Sequence, residues 1–540
     1  MSRVEATLIL VNGQVVTVDK YNNISQAIAV MDNRILAIGT TEEMMELRGV
    51  NTRVVDVKGR TILPGLIDSH AHIASQGFRR NDVDCGYENV KSINEIKQKI
   101  MEAAQKKQPG QWIRAWGYNE EYLTEKRHPT RDDLDEAAPN NPVYLGRVCY
   151  HISVLNSKGL ELAGVDKHFQ DPVGGRIGRT TNGEPNGILF EAASRVGKQA
   201  SVPAVMELRA ALKSGAEEFL RYGITSVHDA GSYGSQQLKM LKELNQIGTA
   251  LPRVYMMAYS AVDEREFLDS FIEAGISTGF GDRFLRIGPV KRITDGDATA
   301  ATAALRNDYL GRKGDKGFIY TSPAELGEFF VRSNRQGFQL TAHAAGDAAI
   351  ETVLQAIAMA MDDKYHPDPR PRIEHCAVLD PGLMGLIKEL RVIPVPQPAM
   401  FYDFGDMFLR EYGEDRCRYM FPCHSLLQMG IPVAASSDAP VTRLDPIFGI
   451  YEAVTRITNS GQIVGPEERV TLDQAIRMYT INGAYASFEE DVKGSLEVGK
   501  LADIIVLSGT ILGESIENIR CMRAEMTIID GEVAYDTGVI

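Results

Sequence analysis

The sequence predicts a (β/α)8 barrel of the TIM type, an α/β fold, joined to a discontinuous β-sandwich domain from both termini and carrying a large insertion after barrel strand one. Three observations predict it. Strand-like and helix-like segments alternate eight times through the middle of the chain, which is the arithmetic of such a barrel. Both chain ends are instead runs of short strands. Between the first two barrel strands, residues 75–205 are too many for one crossover helix and must form an insertion. The predicted boundaries are 1–62 plus 490–540 for the composite β-sandwich and 63–489 for the barrel.

In order, residues 7–11 and 13–18 read as a hairpin turning on Asn12-Gly13. Further short strands at 27–30, 34–38 and 53–57 are divided by Asp32-Asn33, Gly39 and Gly59. The C-terminal block repeats this pattern at 502–507, 526–529 and 532–534, with a turn at Asp530-Gly531. The barrel strands are expected at 61–68, 224–229, 253–260, 285–293, 338–343, 371–375, 392–397 and 433–438. The clearest helix between them starts at Ser322, a natural N-cap, with Pro323 at the first helical position and Glu325 completing a capping box. Leu326, Phe329 and Phe330 give it an apolar face, and Gly337 supplies a left-handed stop. The insertion reads as turn-rich and irregular around Gly174-Gly175-Arg176-Ile177-Gly178, lying over the barrel mouth.

Chemistry gathers at the C-terminal ends of the predicted strands, where barrel active sites are built. His70 and His72 close the first strand; with a period of two they face the same way and can grip one metal ion. Lys291 lies on strand four, His343 ends strand five, His375 ends strand six and Asp438 ends strand eight. A lone histidine at a strand end is more often a satisfied hydrogen-bonding residue, but six ligand-type side chains on one rim make that explanation a string of coincidences. His228 and Asp229 end strand two, and only one can point inward; Asp229 is favoured. Cys376 follows His375 directly, so alternation turns it away from the site.

Composition excludes several classes. A net charge of −14 argues against nucleic acid as a partner. No stretch reaches the length of a membrane-spanning helix, and no early segment has the layout of a secretory leader. Six scattered cysteines with no CxxC pair suit reduced thiols in the cytoplasm. The glycine-rich loops lack the strand-GxGxxG-helix context of a dinucleotide site.

Six motifs carry a resemblance: PGLIDSHAH (64–72), GPVKRITDG (288–296), LTAHAAGDAAI (340–350), RIEHC (372–376), SSDAPV (436–441) and KGSLEVGKLADIIVL (493–507). In that order the chain resembles the amidohydrolase superfamily, and within it the YtcJ-like, N-substituted formamide deformylase-like group of amidohydrolase family 3. The resemblance implies His70 and His72 on one divalent metal, His343 and His375 on a second, Lys291 as a bridging N6-carboxylysine, and Asp438 at the metal-bound water. One or two ions, zinc by ligand type, would activate a hydroxide that attacks a non-peptide C–N bond of an amide, an N-formyl or N-acyl compound or a cyclic amide. Asp438 would act as general base and then general acid. Were Lys291 unmodified, Asp295, Asp297 or Glu191 could substitute as ligand. His151, Glu191 and Trp116 are candidate substrate contacts; Tyr150 stands before His151 where the group usually has Gly. The implied partner is a small-molecule substrate and the implied assembly a homodimer. Two further readings are an aminohydrolase that deaminates a heterocycle and a non-catalytic regulatory protein on the same fold. The first is disfavoured by Lys291, the second by a complete ligand set; glycoside hydrolysis would not need the histidines.

Overall fold

The computed structural model describes residues 4–259 and 264–540. Its terminal blocks form two facing sheets. One has strand order Arg34–Gly39, Ala27–Met31, Ala6–Val11, Arg48–Asp56. The other interleaves the termini: Glu532–Asp536, Ala524–Ile529 and Ile504–Leu507 continue into Thr61–Pro64, Gln14–Val16 and Ile24–Ser25. Alternating residues from both, among them Leu8, Leu10, Val15, Val30, Ile504 and Ile528, fill the space between. The expected hairpin at Asn12-Gly13 does not form. Asn12 takes a left-handed turn, φ 56°, but the strands on either side of it pair in different sheets, so the turn is a corner of the sandwich. A β-carbon on Gly13 would stand 2.7 Å from Val57, which is why the corner needs glycine.

The strand expected over residues 61–68 and ending at the metal motif is two strands. Thr61–Pro64 belongs to the sandwich and Leu66–Ala71 to the barrel, divided at Gly65, whose missing side chain leaves room for Thr225 at 2.1 Å. Six more parallel strands follow around the barrel: Ile224–Asp229, Arg253–Ala258, Leu285–Ile293, Leu340–Ala344, Arg372–His375 and Ile393–Val395. Ser260, the expected end of the third, lies outside the described residues. The eighth segment, 433–438, lacks regular strand geometry yet closes the ring. Ala434 and Ser436 donate to Pro394 and Pro396 on one side, while Ser69 donates to Ala435 and Asp438 to His70 on the other. Prolines 394 and 396 have no N–H to return, so the ladder is one-sided. The helix Pro323–Arg335 carries the expected capping box between Ser322 and Glu325, and Gly337 takes φ 83°.

The insertion is not irregular. It forms its own six-stranded sheet, in the order Gly175–Arg179, Pro185–Glu191, Ile152–Leu155, Val143–Arg147, Ile113–Tyr118, Val83–Asp84. Helices such as Ile93–Ala104 cover it over a separate apolar core. The glycine-rich GGRIG stretch is its edge strand rather than a loop. Helices Ile73–Asn81 and Val205–Arg221 flank the insertion and pack on the barrel wall.

Those two helices cross at glycines. A β-carbon at Gly77 would lie 1.7 Å from the Ala211 carbonyl oxygen, and one at Gly215 would lie 2.2 Å from that of Ile73. Backbone cannot yield as a flexible side chain does. Gly77→Ala is therefore expected to destabilise the protein by at least about 1–3 kcal/mol, read as a lowered midpoint in denaturant unfolding.

Candidate metal centre

The first barrel strand delivers His70 into the ring interior and His72 onto its rim, where it opens the helix Ile73–Asn81. Each imidazole has one nitrogen bound to an oxygen of the protein. His70 Nδ1 lies 2.5 Å from Glu374 Oε2, and His72 Nδ1 lies 3.0 Å from the Gly231 carbonyl. His343 Nε2 meets the Gly296 carbonyl at 3.0 Å, and His375 Nδ1 meets Gln397 Oε1 at 2.9 Å. The Gln397 amide is oriented by its own donation to Val395 O and Ser436 Oγ. Carboxylates and carbonyls only accept, so in a neutral ring each contacting nitrogen carries the hydrogen and the other keeps its lone pair. Burial, then the Lys291 charge, pushes His70 far below the ordinary imidazole range, and burial takes His375 down to about 3. Both are neutral, the ligand form.

Asp438 supplies the matching anion. Its Oδ1 is 3.5 Å from His70 Nε2 and 3.4 Å from His72 Nε2, and its Oδ2 is 4.0 Å from His375 Nδ1. A ligand atom from each of His70, His72 and Asp438 lies within 4.8 Å of the others. Two imidazole lone pairs and a carboxylate facing one point, with both histidine protons spent elsewhere, fit a divalent cation. Lys291, buried, directs Nζ to within 3.3 Å of the same His70 Nε2. The His343 and His375 rings pack at 4.4 Å, and the His375 ring is 4.9 Å from that of His70. Asp438 sits at φ 55°, a left-handed turn that aims its side chain while its amide stays bound to the first strand.

Several working residues are absent from the sequence reading. Glu374 is the main one: fully buried, it holds His70 and is itself held by Arg372 (2.9 and 3.1 Å) and Thr341 (2.7 Å). Alternation directs Arg372 and Glu374 into the barrel and would turn His375 out. A φ of 68° at His375 breaks the alternation and brings it back. Cys376 then lies in the apolar core, its thiol pushed up by burial. Asp68 ties strand one to strand eight by accepting from Ser437 N and Oγ, and burial raises it to about 7. The preference for Asp229 over His228 as the inward residue is corrected. Asp229 accepts from Ile73 N, Gly231 N and Gln237, bracing the loop that holds His72. His228 instead reaches Arg372 at 2.9 Å. A spacing argument cannot separate these, because the chain bends at the strand end.

The insertion adds a second group. His151 Nδ1 lies 2.6 Å from Glu191 Oε2, its Nε2 lies 4.0 Å from Asp297, and its ring is 5.4 Å from that of His343. Burial works against charge on His151, but Glu191 and then Asp297 lift it above its ordinary value. Glu191, at φ 53°, also accepts from Tyr320 at 2.6 Å and from Thr302. The alternative ligands have partners of their own: Asp295 accepts backbone N–H from Ala304, Ala345 and Gly346, and Asp297 from Thr299 and Ala300. Trp116 makes no hydrogen bond or ring contact with these histidines among the described residues. Its indole N–H donates to Arg79 O, with the Arg79 guanidinium 4.3 Å over the ring.

No helix among the described residues is long and apolar enough to cross a membrane. The chain is 30% identical to an N-substituted formamide deformylase of Arthrobacter pascens, over 98% of each sequence. It is 28% identical to the putative amidohydrolase YtcJ of Bacillus subtilis, over 95% of this chain and 96% of that one. An uncharacterized metal-dependent hydrolase from Pyrococcus furiosus superposes with a TM-score of 0.73 at 27% identity, covering 92% of this chain and 98% of the other. The model of the amidohydrolase family matches residues 53–535. The chain belongs to the amidohydrolase family, metal-dependent hydrolases acting on carbon–nitrogen bonds other than peptide bonds.

Proposed function

We propose that this enzyme hydrolyses a non-peptide C–N bond in an amide, an N-formyl or N-acyl compound or a cyclic amide, using Asp438 as general base and then general acid. The observation that carries the reading is the convergence of His70 Nε2, His72 Nε2 and the Asp438 carboxylate, with both Nδ1 atoms committed to protein acceptors. A divalent cation held by them, zinc by ligand type, would supply Lewis acidity and lower the pKa of water. Asp438 takes one proton from the attacking water; oxygen joins the carbonyl carbon, the C–N bond breaks, and Asp438 returns that proton to the departing nitrogen. His343 and His375 extend the ligand set, each offering the nitrogen not bound to Gly296 or Gln397. Lys291 belongs to it as the N6-carboxylated form. Burial pushes its ammonium down toward the neutral amine, the form that adds CO2, and a carbamate offers oxygen ligands where an ammonium offers none. His151, Glu191 and Trp116 are the proposed substrate contacts.

The 1–62 plus 490–540 and 63–489 division, a cytoplasmic location and a homodimer complete the reading. Five buried, unpaired thiols support the location, and the family resemblance alone supports the dimer. An N-substituted formamide deformylase among the relatives supports an amide-type substrate.

Three measurements test this. Metal analysis of active protein should give two equivalents per chain; activity without bound metal would overturn the mechanism. Asp438→Asn should lower kcat/KM on any cleaved amide by at least about 10²-fold, and full activity would remove Asp438 from its role. Glu374→Ala should weaken metal binding about 10- to 100-fold in a chelator competition, because His70 loses the acceptor that fixes its tautomer.

A further inference from the structure

Beside the histidine cluster lies a cavity of about 110 Å³ in which Trp116 alone has a proposed role. Its walls are aromatic: Phe78, Trp116, Tyr144, Tyr150 and Tyr233 surround it, with Lys198 among them. The cavity lies behind His72, on the side of its Gly231-bound Nδ1. Ser232 in its wall stands 3.4 Å from His72 Nδ1, and Tyr150 directly precedes His151. Lys198 also bears on the site electrostatically, since its charge lowers the basicity of His151.

The polar groups of this cavity are unevenly matched. Arg114 is spent on Asp82 at 3.4 Å and Glu207 at 3.1 Å. Lys198 has the Tyr150 ring at 5.7 Å but forms no ion pair among the described residues. Nor do the hydroxyls of Tyr150 and Tyr233 carry a hydrogen bond among those residues. Burial drives the Lys198 ammonium down to about 8, Arg195 pushes the same way and Glu191 opposes them, yet no carboxylate comes within ion-pair distance of it among the described residues. A half-buried cation among aromatic faces is a site for an anion on an apolar stem. The volume is of the order of a cavity of about 150 Å³ that takes up benzene.

We infer that this cavity receives the end of the substrate remote from the scissile bond, and that the substrate class is a small amide whose far end is a compact apolar or aromatic group bearing a carboxylate, read by Lys198. The inference rests on the proposed amide hydrolysis. In it, Lys198 determines specificity, acting through KM, and takes no part in bond cleavage.

The test separates the two readings. Holoenzyme would be offered N-formyl-4-aminobutyrate and its neutral analogue N-formyl-4-aminobutanol, and phenylacetate and 2-phenylethanol binding would be measured by calorimetry. The expected result is a preference of at least tenfold in kcat/KM for the acid over the alcohol. Lys198→Met should raise KM for the acid at least tenfold more than for the alcohol, and should weaken phenylacetate binding at least tenfold. Lys198→Arg should restore most of both, which a folding defect would not allow. Equal cleavage of acid and alcohol, or phenylacetate binding indifferent to Lys198→Met, overturns the inference while leaving amide hydrolysis standing. If neither amide is cleaved, phenylacetate binding decides: its loss in Lys198→Met keeps the anion site, and its indifference to that change overturns the inference.

Discussion

The site depends on one repeated constraint: each of four histidines spends one nitrogen on a fixed oxygen acceptor. Glu374, the Gly231 and Gly296 carbonyls and Gln397 are those acceptors, and each comes from a different element than the histidine it holds. A ring so bound cannot flip or change tautomer without leaving a buried acceptor unpaired, which costs about 1–3 kcal/mol. Glu374 is the most committed, since its two oxygens collect His70, Thr341 and a two-pronged Arg372, whose Nη2 also donates to the Ser69 carbonyl and whose Nη1 reaches His228. That network lies inside the ring, where water cannot replace a lost partner. Removing one member exposes the others to desolvation, so the interior acts as a unit.

The same logic carries outward to the sandwich. The chain leaves it at Thr61–Pro64 and enters the barrel one residue later, so the position of the sandwich sets where His70 and His72 arrive. A buried ion pair secures that junction: Arg253, on the third barrel strand, holds both oxygens of Asp503 at 2.7 and 2.8 Å and also meets Asp530 at 3.0 Å. The Asp503 carbonyl accepts from Gly65 N, at the step between the two strands. The C-terminal motif containing Asp503 thus shapes the metal strand from a distance of more than 400 residues in sequence.

How far the sequence could be read follows from what each signal measures. Hydrophobic runs ending in polar residues mark buried strands, so the barrel order and the rim positions of Lys291 and Asp438 were legible. Alternation is a weaker guide where strands end, because positive φ at His375 and Asp438 re-aims side chains that a period of two would send elsewhere. Glu374 gives no signal for that reason: beside a histidine taken as inward, alternation would place it outward. The insertion was misread because glycine-rich edge strands look like loops; only partner strands distant in sequence reveal Gly175–Arg179 as a strand. The Asn12-Gly13 turn was identified correctly as a turn and wrongly as a hairpin, since turn chemistry specifies direction and not pairing.

The insertion shows how a segment with no readable code is still tied to the site. Its strands Ile152–Leu155 and Pro185–Glu191 pair antiparallel with Ile152 opposite Phe190, which brings His151 beside Glu191 although 40 residues separate them. The Glu191 amide donates to the His151 carbonyl at 2.8 Å, so backbone and side chains close the same contact. Glu191 is then held from the barrel side by Tyr320 and Thr302, both from the segment after strand four. One buried carboxylate therefore joins a separately folded sheet to the barrel rim. Because His151 depends on that carboxylate for position and for its raised basicity, any shift of the insertion moves an imidazole near His343. Arg147, donating to the Thr299 carbonyl, and Tyr87 and Tyr122, both donating to Asp403, tie the same insertion to the barrel at further points.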